Sequence, residues 1–218
     1  MKVAMLPVRS GSKRLPAKNY LPFGNGTILE RCIQKAKESK QFDRIIINTD
    51  DPSLSHIAET HSVEIYLRPI ELASDHASSD QVVLDFFEKF KPTSLYWVNT
   101  ASPLSQVDDI MRVVQAFEKT DSLSVVSVNS KAVHAVCAER PVNFSYADSA
   151  FARTQDLNPL LLYNYALMGW KFAACQDLRK GILFGRDTLM VETSILSSFL
   201  LKTESDYKFL LSLREVID

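Results

Sequence analysis

Cysteine, glycine and net charge are all scarce in this chain of 218 residues, and each shortage removes a class of protein. The three cysteines, Cys32, Cys137 and Cys175, are far apart and odd in number. They form no C-x-x-C pair, so a disulfide framework and a zinc ribbon are both excluded. The four histidines, His56, His61, His76 and His134, form no H-E-x-x-H or H-x-H pair. With six glycines and nine prolines, the chain is not of low complexity. Gly11 is the only glycine before Gly24, which excludes a G-x-G-x-x-G loop, and no G-K-[ST] follows as a Walker loop requires. Lys and Arg number 25 against 26 Asp and Glu, a formal charge of −1. That balance argues against a nucleic-acid partner held by bulk electrostatics, while a local basic cluster can still bind phosphate. The apolar stretch Met1–Pro7 is too short for a signal peptide or a membrane span. No membrane partner is expected, and the expected location is cytoplasmic.

What remains is an ordinary globular composition, 46% hydrophobic and 23% charged, long enough for one domain over residues 1–218 with a core that needs no staple. Short apolar runs at Val3–Val8, Arg44–Asn48, Leu95–Asn99 and Leu123–Val128 read as buried strands, and Val63, Ile65 and Leu67 alternate as a strand with one buried face. Between them lie helical patterns. Thr27 and Glu30 form a capping box before Ile28, Leu29, Cys32, Ile33 and Ala36. Asp51-Pro52 opens a helix with Leu54, Ile57 and Ala58 inside. Ser78-Ser79-Asp80 caps one with Val82, Val83, Phe86, Phe87 and Phe90, and Ile110, Met111, Val114 and Phe117 mark another. This alternation predicts an α/β fold, a mostly parallel sheet with helices on both faces and a ligand crevice beyond the carboxyl ends of the strands. The pattern weakens after Val128. Ala138–Tyr163 reads as an arm or hairpin off the sheet, Leu167–Phe172 as a returning strand, and Thr203 as the cap of a last helix with Leu210, Leu213 and Ile217 on one face.

The first strand runs into Arg9-Ser10-Gly11-Ser12-Lys13-Arg14-Leu15-Pro16-Ala17-Lys18-Asn19, where four cations fall within ten residues. Gly11 lets backbone amides approach a ligand, Ser10 and Ser12 donate hydrogen bonds, and Lys and Arg bring mobile and forked positive charge to phosphate oxygens. The loop reads either as a triphosphate cradle or as a solvated basic turn.

This loop resembles the nucleotide-binding signature of the acylneuraminate cytidylyltransferases, the enzymes that make CMP-sialic acid. Arg68-Pro69-Ile70-Glu71-Leu72-Ala73-Ser74-Asp75-His76-Ala77-Ser78-Ser79 resembles a second signature of that family. Asn48-Thr49-Asp50-Asp51 is similar to a third, and Ser102-Pro103-Leu104 to a fourth, all in family order. The resemblance implies a Rossmann-like nucleotide-diphospho-sugar transferase fold, a three-layer α/β/α sandwich, as a single nucleotidyltransferase domain. It implies transfer of CMP from CTP to a nonulosonic acid sugar, with Mg²⁺, in a homodimer built through the arm at 138–163. It assigns Arg9, Ser12, Lys18 and Asn19 to the triphosphate and nucleotide, and Arg68, Ala77, Ser78 and Ser79 to cytosine and ribose. Ser10 and Gly11 complete the nucleotide loop. Arg9 and Lys18 suit charge neutralisation in the transfer step. Asn99, Ser102 and Asn164 fall on the sugar side.

The chain departs from the family where the sugar and metal belong. The family motif reads roughly D-x-D-T-x-x-D, and Leu200-Leu201-Lys202-Thr203-Glu204-Ser205-Asp206 stands there, with Leu200 and Lys202 in place of the two carboxylates. Leucine cannot ligate Mg²⁺ and lysine carries the wrong charge, so the metal ligands are unknown. Glu204 and Asp206 read first as favourable charges on the first turn of the last helix. Ser105 replaces an arginine, and in Leu162-Tyr163-Asn164-Tyr165-Ala166 only Asn164 and Ala166 match R-x-N-G-A. A second reading is therefore a nucleotide-binding member that has lost transfer and acts as a binding or partner subunit. A third, a 3-deoxy-manno-octulosonate cytidylyltransferase, is disfavoured because those relatives usually place an aspartate where this chain has Asn99.

Overall fold

Apolar residues on both faces of the predicted strands require a sheet covered on both sides, and the computed structural model, which describes residues 1–147 and 151–217, contains one. In chain order the elements are β1 (Lys2–Val8), α1 (Ile28–Glu38), β2 (Arg44–Thr49), α2 (Ser55–Thr60), β3 (Glu64–Leu67), α3 (Ser79–Phe90), β4 (Ser94–Val98), α4 (Val107–Glu118), β5 (Ser124–Lys131), β6 (Val136–Cys137), β7 (Arg140–Pro141), β8 (Leu160–Lys171), α5 (Cys175–Leu178), β9 (Leu189–Glu192) and α6 (Glu204–Ile217). The main sheet runs β3-β2-β1-β4-β8-β5-β9. All its neighbours are parallel except β8, which is antiparallel to β4 and β5. This is the expected Rossmann-like α/β architecture. The chain steps from β1 to one side of the sheet and then returns to the other, so the carboxyl end of β1 lies at the point where strand order reverses. Crevices for ligands open at such points.

The two faces carry two cores. Ala4, Leu6, Ile47, Tyr96 and Val98 pack with Leu29, Ile33, Val113 and Phe117 from α1 and α4. Val3, Met5, Leu95, Val126 and Trp170 pack with Val83, Phe86 and Phe87 of α3 and Leu178 of α5. The helix starts are encoded locally. Thr27 N donates to Glu30 Oε2 at 2.8 Å while Glu30 N donates to Thr27 Oγ1 at 3.3 Å. Thr203 N donates to Asp206 Oδ2 at 2.8 Å and Asp206 N to Thr203 Oγ1 at 3.2 Å, so α6 has the same reciprocal cap. Leu210 is buried and Leu213 packs partly against a third, smaller core. The side chain of Ile217 lies outside the described residues.

Three expectations change. β3 does not have one buried face: Ile65 packs against one core and Tyr66 against the other, while Leu67 is exposed. As an edge strand in a two-faced sheet it is used on both sides. β8 begins at Leu160 rather than Leu167, and β5 runs on to Lys131, because the two strands pair from Val128↔Tyr163 out to Lys131↔Leu160. Residues 160–163 of the expected arm thus belong to the sheet. The part of the arm before them carries β7 of the separate β6–β7 hairpin, whose other strand precedes residue 138, and residues 148–150 within the arm lie outside the described residues.

The cause of the misreading is an irregularity. The pairing between β5 and β8 shifts register between Val126 and Val128, so Asn164–Leu167 oppose Ser127 alone. Asn164 fills the bulge. Its Oδ1 accepts from Ser127 Oγ at 2.5 Å and Ala166 N at 3.0 Å, and its Nδ2 donates to Asn129 Oδ1 and Thr193 Oγ1, each at 2.9 Å. Beyond the bulge β8 is squeezed between its neighbours. A Cβ on Gly169 would lie 2.8 Å from Tyr96 Cδ1 and 2.9 Å from Val125 Cγ1. Gly169→Ala is expected to cost about 1–3 kcal/mol by overpacking. In a thermal melt that is a drop of roughly 2–4 °C per kcal/mol, and an unchanged Tm would show that the sheet relaxes freely there.

Candidate active site

Beyond Val8 the chain leaves the sheet as the basic loop, and two anchors set its path. Asp50, just past β2, accepts from Ser10 N at 3.0 Å and from Ser10 Oγ at 2.5 Å. Tyr20 OH donates to Asp51 Oδ2 at 2.5 Å. Between them Ala17, at φ 52°, turns the chain into a short 3-10 turn over Lys18–Tyr20. The loop folds back so that Arg9, Ser12, Lys13, Arg14, Lys18 and Asn19 line a cavity of about 790 Å³.

The opposite wall starts where β3 ends. Arg68 N donates to Thr49 O at 2.8 Å, extending the ladder by one residue. The Arg68 side chain is buried at 8% exposure, with Nη2 3.4 Å from Val8 O and Nε without a partner. Ala77, Ser78 and Ser79 bring the start of α3 to the cavity, where a helix N-terminus favours an anion. The floor and far side are Trp97 and Asn99 from the end of β4, Thr100 and Ala101 after it, Tyr165 and Met168 of β8, Leu183, and Leu200–Lys202. Asn19 Oδ1 and Trp97 Nε1 are also buried without partners. Asn19, Arg68 and Trp97 all line the cavity, but these three atoms are themselves shut off from it.

Charge is the dominant feature. Arg9, Lys13, Arg14, Lys18, Arg68 and Lys202 line the cavity against a single carboxylate, Asp75. Asp75 is ion-paired to Lys13 and to Arg9, the latter at 3.0 Å, and these two cations hold its carboxyl below the usual carboxylate range. Burial, and then repulsion from Arg14 and Arg9, holds the Lys18 ammonium below the ordinary lysine value. Among the described residues no group of three or more His, Cys, Asp or Glu side chains could hold a metal ion. Asp50 is occupied by Ser10.

Most of the residues named from the sequence for the nucleotide meet at this cavity. Ser10 and Gly11 instead line a smaller adjoining hollow of about 320 Å³ beside Ser12 and Asp75. The sugar-side expectations fare differently. Asn99 lines the cavity, but its amide is spent on the turn: Nδ2 donates to Tyr165 O at 3.0 Å and Oδ1 accepts from Ala101 N at 2.9 Å. Ser102 is fully buried and donates to Ser197 O at 2.8 Å. Asn164 is the bulge residue described above. Neither lines the cavity: Ser102 is bound to backbone, and Asn164 to three side chains and one backbone amide, inside the fold.

Sequence reasoning missed Trp97 and Tyr165. Strand parity could have found Trp97, since Leu95, Trp97 and Asn99 share a face. Tyr165 stands where the resembling motif has glycine, and it keeps the glycine conformation, φ 56°. For a tyrosine this backbone costs about 1–2 kcal/mol. The bulge and the Asn99 hydrogen bond hold it in place and turn the ring to the cavity wall.

Three comparisons bear on this geometry. Residues 3–164 match the family model described as Cytidylyltransferase. The N-acylneuraminate cytidylyltransferase of Escherichia coli O18:K1:H7 is 32% identical over 130 residues, covering 58% of this chain and 30% of that protein. The CMP-N,N'-diacetyllegionaminic acid synthase of Legionella pneumophila is 28% identical over 133 residues, covering 58% of this chain and 57% of that protein. The chain thus spans less than two thirds of the length of either relative. Among solved structures, a CMP:2-keto-3-deoxy-manno-octonic acid synthetase complexed with CTP superposes with a TM-score of 0.73 over 100% of this chain and 99% of that one. At 14% identity this is a likeness of fold.

The crowding around Lys18 has a measurable consequence. Its folded pKa lies below the unfolded 10.5, so between those two values the unfolded chain binds more protons and stability rises with pH. Below the folded pKa the full penalty of the buried charge is present. Lys18→Met is therefore expected to raise Tm at neutral pH and to flatten the rise in stability towards pH 10, as measured by thermal melts across that range. An unchanged or lower Tm at neutral pH would mean that Lys18 is not under electrostatic stress.

Proposed function

We propose, since the chain belongs to the cytidylyltransferase family, that it binds CTP in the cationic cavity and transfers CMP to a hydroxyl of a nonulosonic acid sugar, releasing pyrophosphate. The observation that carries this reading is the concentration of six cationic side chains against one carboxylate on a single cavity, at the carboxyl end of β1. A triphosphate is the ligand whose charge such a cavity balances.

In this reading the sugar hydroxyl attacks the α-phosphorus and gives up its proton to water, the bond to the bridging oxygen breaks, and the electron pair leaves with pyrophosphate. Lys18 and Arg9 neutralise charge on the transferring and leaving oxygens, which is the chief task of a protein in such a transfer. Ser12, Arg14 and Asn19 hold the rest of the triphosphate. Arg68 and the amides at Ala77–Ser79 take the base and ribose. Trp97, Tyr165, Met168, Leu183 and Leu200 make the wall on which the apolar face of a sugar packs, and the names of the relatives support an acidic sugar there. The carboxylates that would hold a divalent ion as the family resemblance implies are not among the cavity residues, so no step is drawn through one. The same observation favours a second reading, in which the chain binds nucleotide and does not transfer it.

The first test is pyrophosphate release from CTP with a panel of nonulosonic acids. Turnover with one of them supports transfer. CTP binding without turnover on any supports the second reading. Calorimetry with CTP, ATP and GTP addresses the base: CTP is expected to bind most tightly, and Arg68→Ala to erase the preference. Lys18→Ala is expected to weaken CTP binding by about 1.5–3 kcal/mol, a charged hydrogen bond's worth. No change would remove Lys18 from the triphosphate site.

For the assembly we propose a homodimer through the arm. Val142, Tyr146 and Phe151 are more than half exposed there, as is Val136 in the adjoining β6, and Phe144 packs edge-on to His134, Tyr146 and Phe151 rather than into the main cores. Exposed apolar surface of this kind favours an interface. Light scattering at micromolar concentration is expected to give a dimer, and Tyr146→Glu with Phe151→Glu a monomer. A monomeric unmodified chain would reject the arm as an interface.

A further inference from the structure

The segment carrying Leu200 and Lys202 is held against the cavity by groups that leave the Lys202 side chain as its only charge facing in. Asp109, buried at the start of α4, accepts from Ser194 N at 2.8 Å, Ser194 Oγ at 2.6 Å and Ser197 Oγ at 2.7 Å. Ser102 Oγ donates to Ser197 O, and Leu201 N donates to Ala101 O at 2.7 Å. The loop receiving these bonds is braced from below by the buried Lys35, whose ammonium donates to Pro103 O and Ser105 O, each at 2.9 Å. Lys202 therefore sits on a strap fixed at both ends.

The acids nearest to it have other partners, although Asp206 still acts on the Lys202 charge through space. Asp206 Oδ2 accepts from Lys202 N at 2.9 Å and Thr203 N at 2.8 Å, capping α6. Glu204 pairs with Lys208 at 3.0 Å. Lys202 itself forms no ion pair among the described residues and lines the cavity, as do Lys18 and Arg14, which form none either. A divalent cation in this region would need oxygen ligands, and the cavity offers a leucine, an ammonium and an aspartate already shared by two cations.

We infer that Lys202, with Lys18 and Arg14, supplies from the protein itself the positive charge that holds the triphosphate, so that CTP binds this chain without a divalent cation. The inference rests on the reading of the cavity as a CTP site. It assigns Lys202 a role in binding, opposite in sign to the carboxylate that the family motif places there.

The test is calorimetric titration of CTP into the full chain, once with EDTA and once with excess Mg²⁺. The expected Kd in EDTA is within about threefold of that in Mg²⁺, as a protein-borne charge predicts. Lys202→Met is expected to weaken binding in EDTA by about tenfold or more, and Lys202→Arg to restore most of it. Lys202 is exposed, so both variants should melt like the parent. CTP binding that needs Mg²⁺ overturns the inference and leaves the CTP reading standing. No CTP binding in either condition overturns both. Undiminished affinity of Lys202→Met in EDTA overturns the role of Lys202.

Discussion

Mutual repulsion among the cations around one cavity is the constraint that the rest of the site answers. Arg9, Lys13, Arg14, Lys18, Arg68 and Lys202 converge on a space of about 790 Å³. Left free, such side chains would swing into solvent, where screening removes the cost. Here the backbone denies some of them that escape. The Asp50–Ser10 and Tyr20–Asp51 hydrogen bonds fold the basic loop inward, and the left-handed turn at Ala17 puts Lys18 where burial and Arg14 depress its pKa. Asp75 relieves only the outer edge, by pairing Arg9 and Lys13. Among the described residues Lys18, Arg14, Arg68 and Lys202 form no ion pair with a carboxylate, although Asp50 acts on Arg68 and Asp206 on Lys202 through space, and in the proposed reading a bound polyanion completes the balance of charge. Stability is spent on a preorganised charge, as binding sites commonly require.

How far this was legible from the sequence follows from where the information is local. The first two thirds of the chain is built from strands and helices whose period and caps lie in consecutive residues. Thr27 with Glu30 and the run Val82–Phe87 could be read directly, and the basic loop announces itself by composition. The family resemblance also rests on this part, and the matched model ends at residue 164. Beyond it the decisive contacts are long-range. Asn164 reads as a binding residue by its type and motif, yet its amide closes a bulge against Ser127, Asn129 and Thr193, none of them near it in sequence. Ser102 reads the same way and is spent on Ser197. A polar side chain that satisfies buried backbone and one that awaits a ligand look alike until partners are counted. The extra turn of β8 before Leu167 was hidden because the bulge breaks the apolar alternation that marks a strand.

Trp97 and Tyr165 illustrate the complementary case, residues whose role is visible only through geometry. Tyr165 takes a backbone conformation suited to glycine. Its strain is sustained by Asn99 on one side and the Asn164 cluster on the other, in keeping with the concentration of backbone strain at binding sites. The ring meets Tyr163 edge-on at 5.7 Å and leans on Phe184 at 6.5 Å. The far wall of the cavity is thereby aromatic where the near wall is cationic. In the proposed reading a ligand with an ionic end and a sugar end meets a surface suited to each.

The electrostatics of the whole chain give this division a further meaning. The formal charge is −1, while the cavity holds six cations against one carboxylate, so the rest of the molecule is net acidic. An anionic ligand is repelled by most of the surface and drawn to one opening, which focuses its approach. Replacing an acidic pair by Leu200 and Lys202 strengthens that contrast. In the proposed reading it removes negative charge where a triphosphate ends and adds a positive one, on a strap that Asp109 holds directly and that rests on a loop braced by Lys35. A site with a carboxylate pair attracts a divalent ion first and the nucleotide through it. In the proposed reading a site with a lysine there attracts the nucleotide directly, and the same fold then binds the same anion by the opposite distribution of charge.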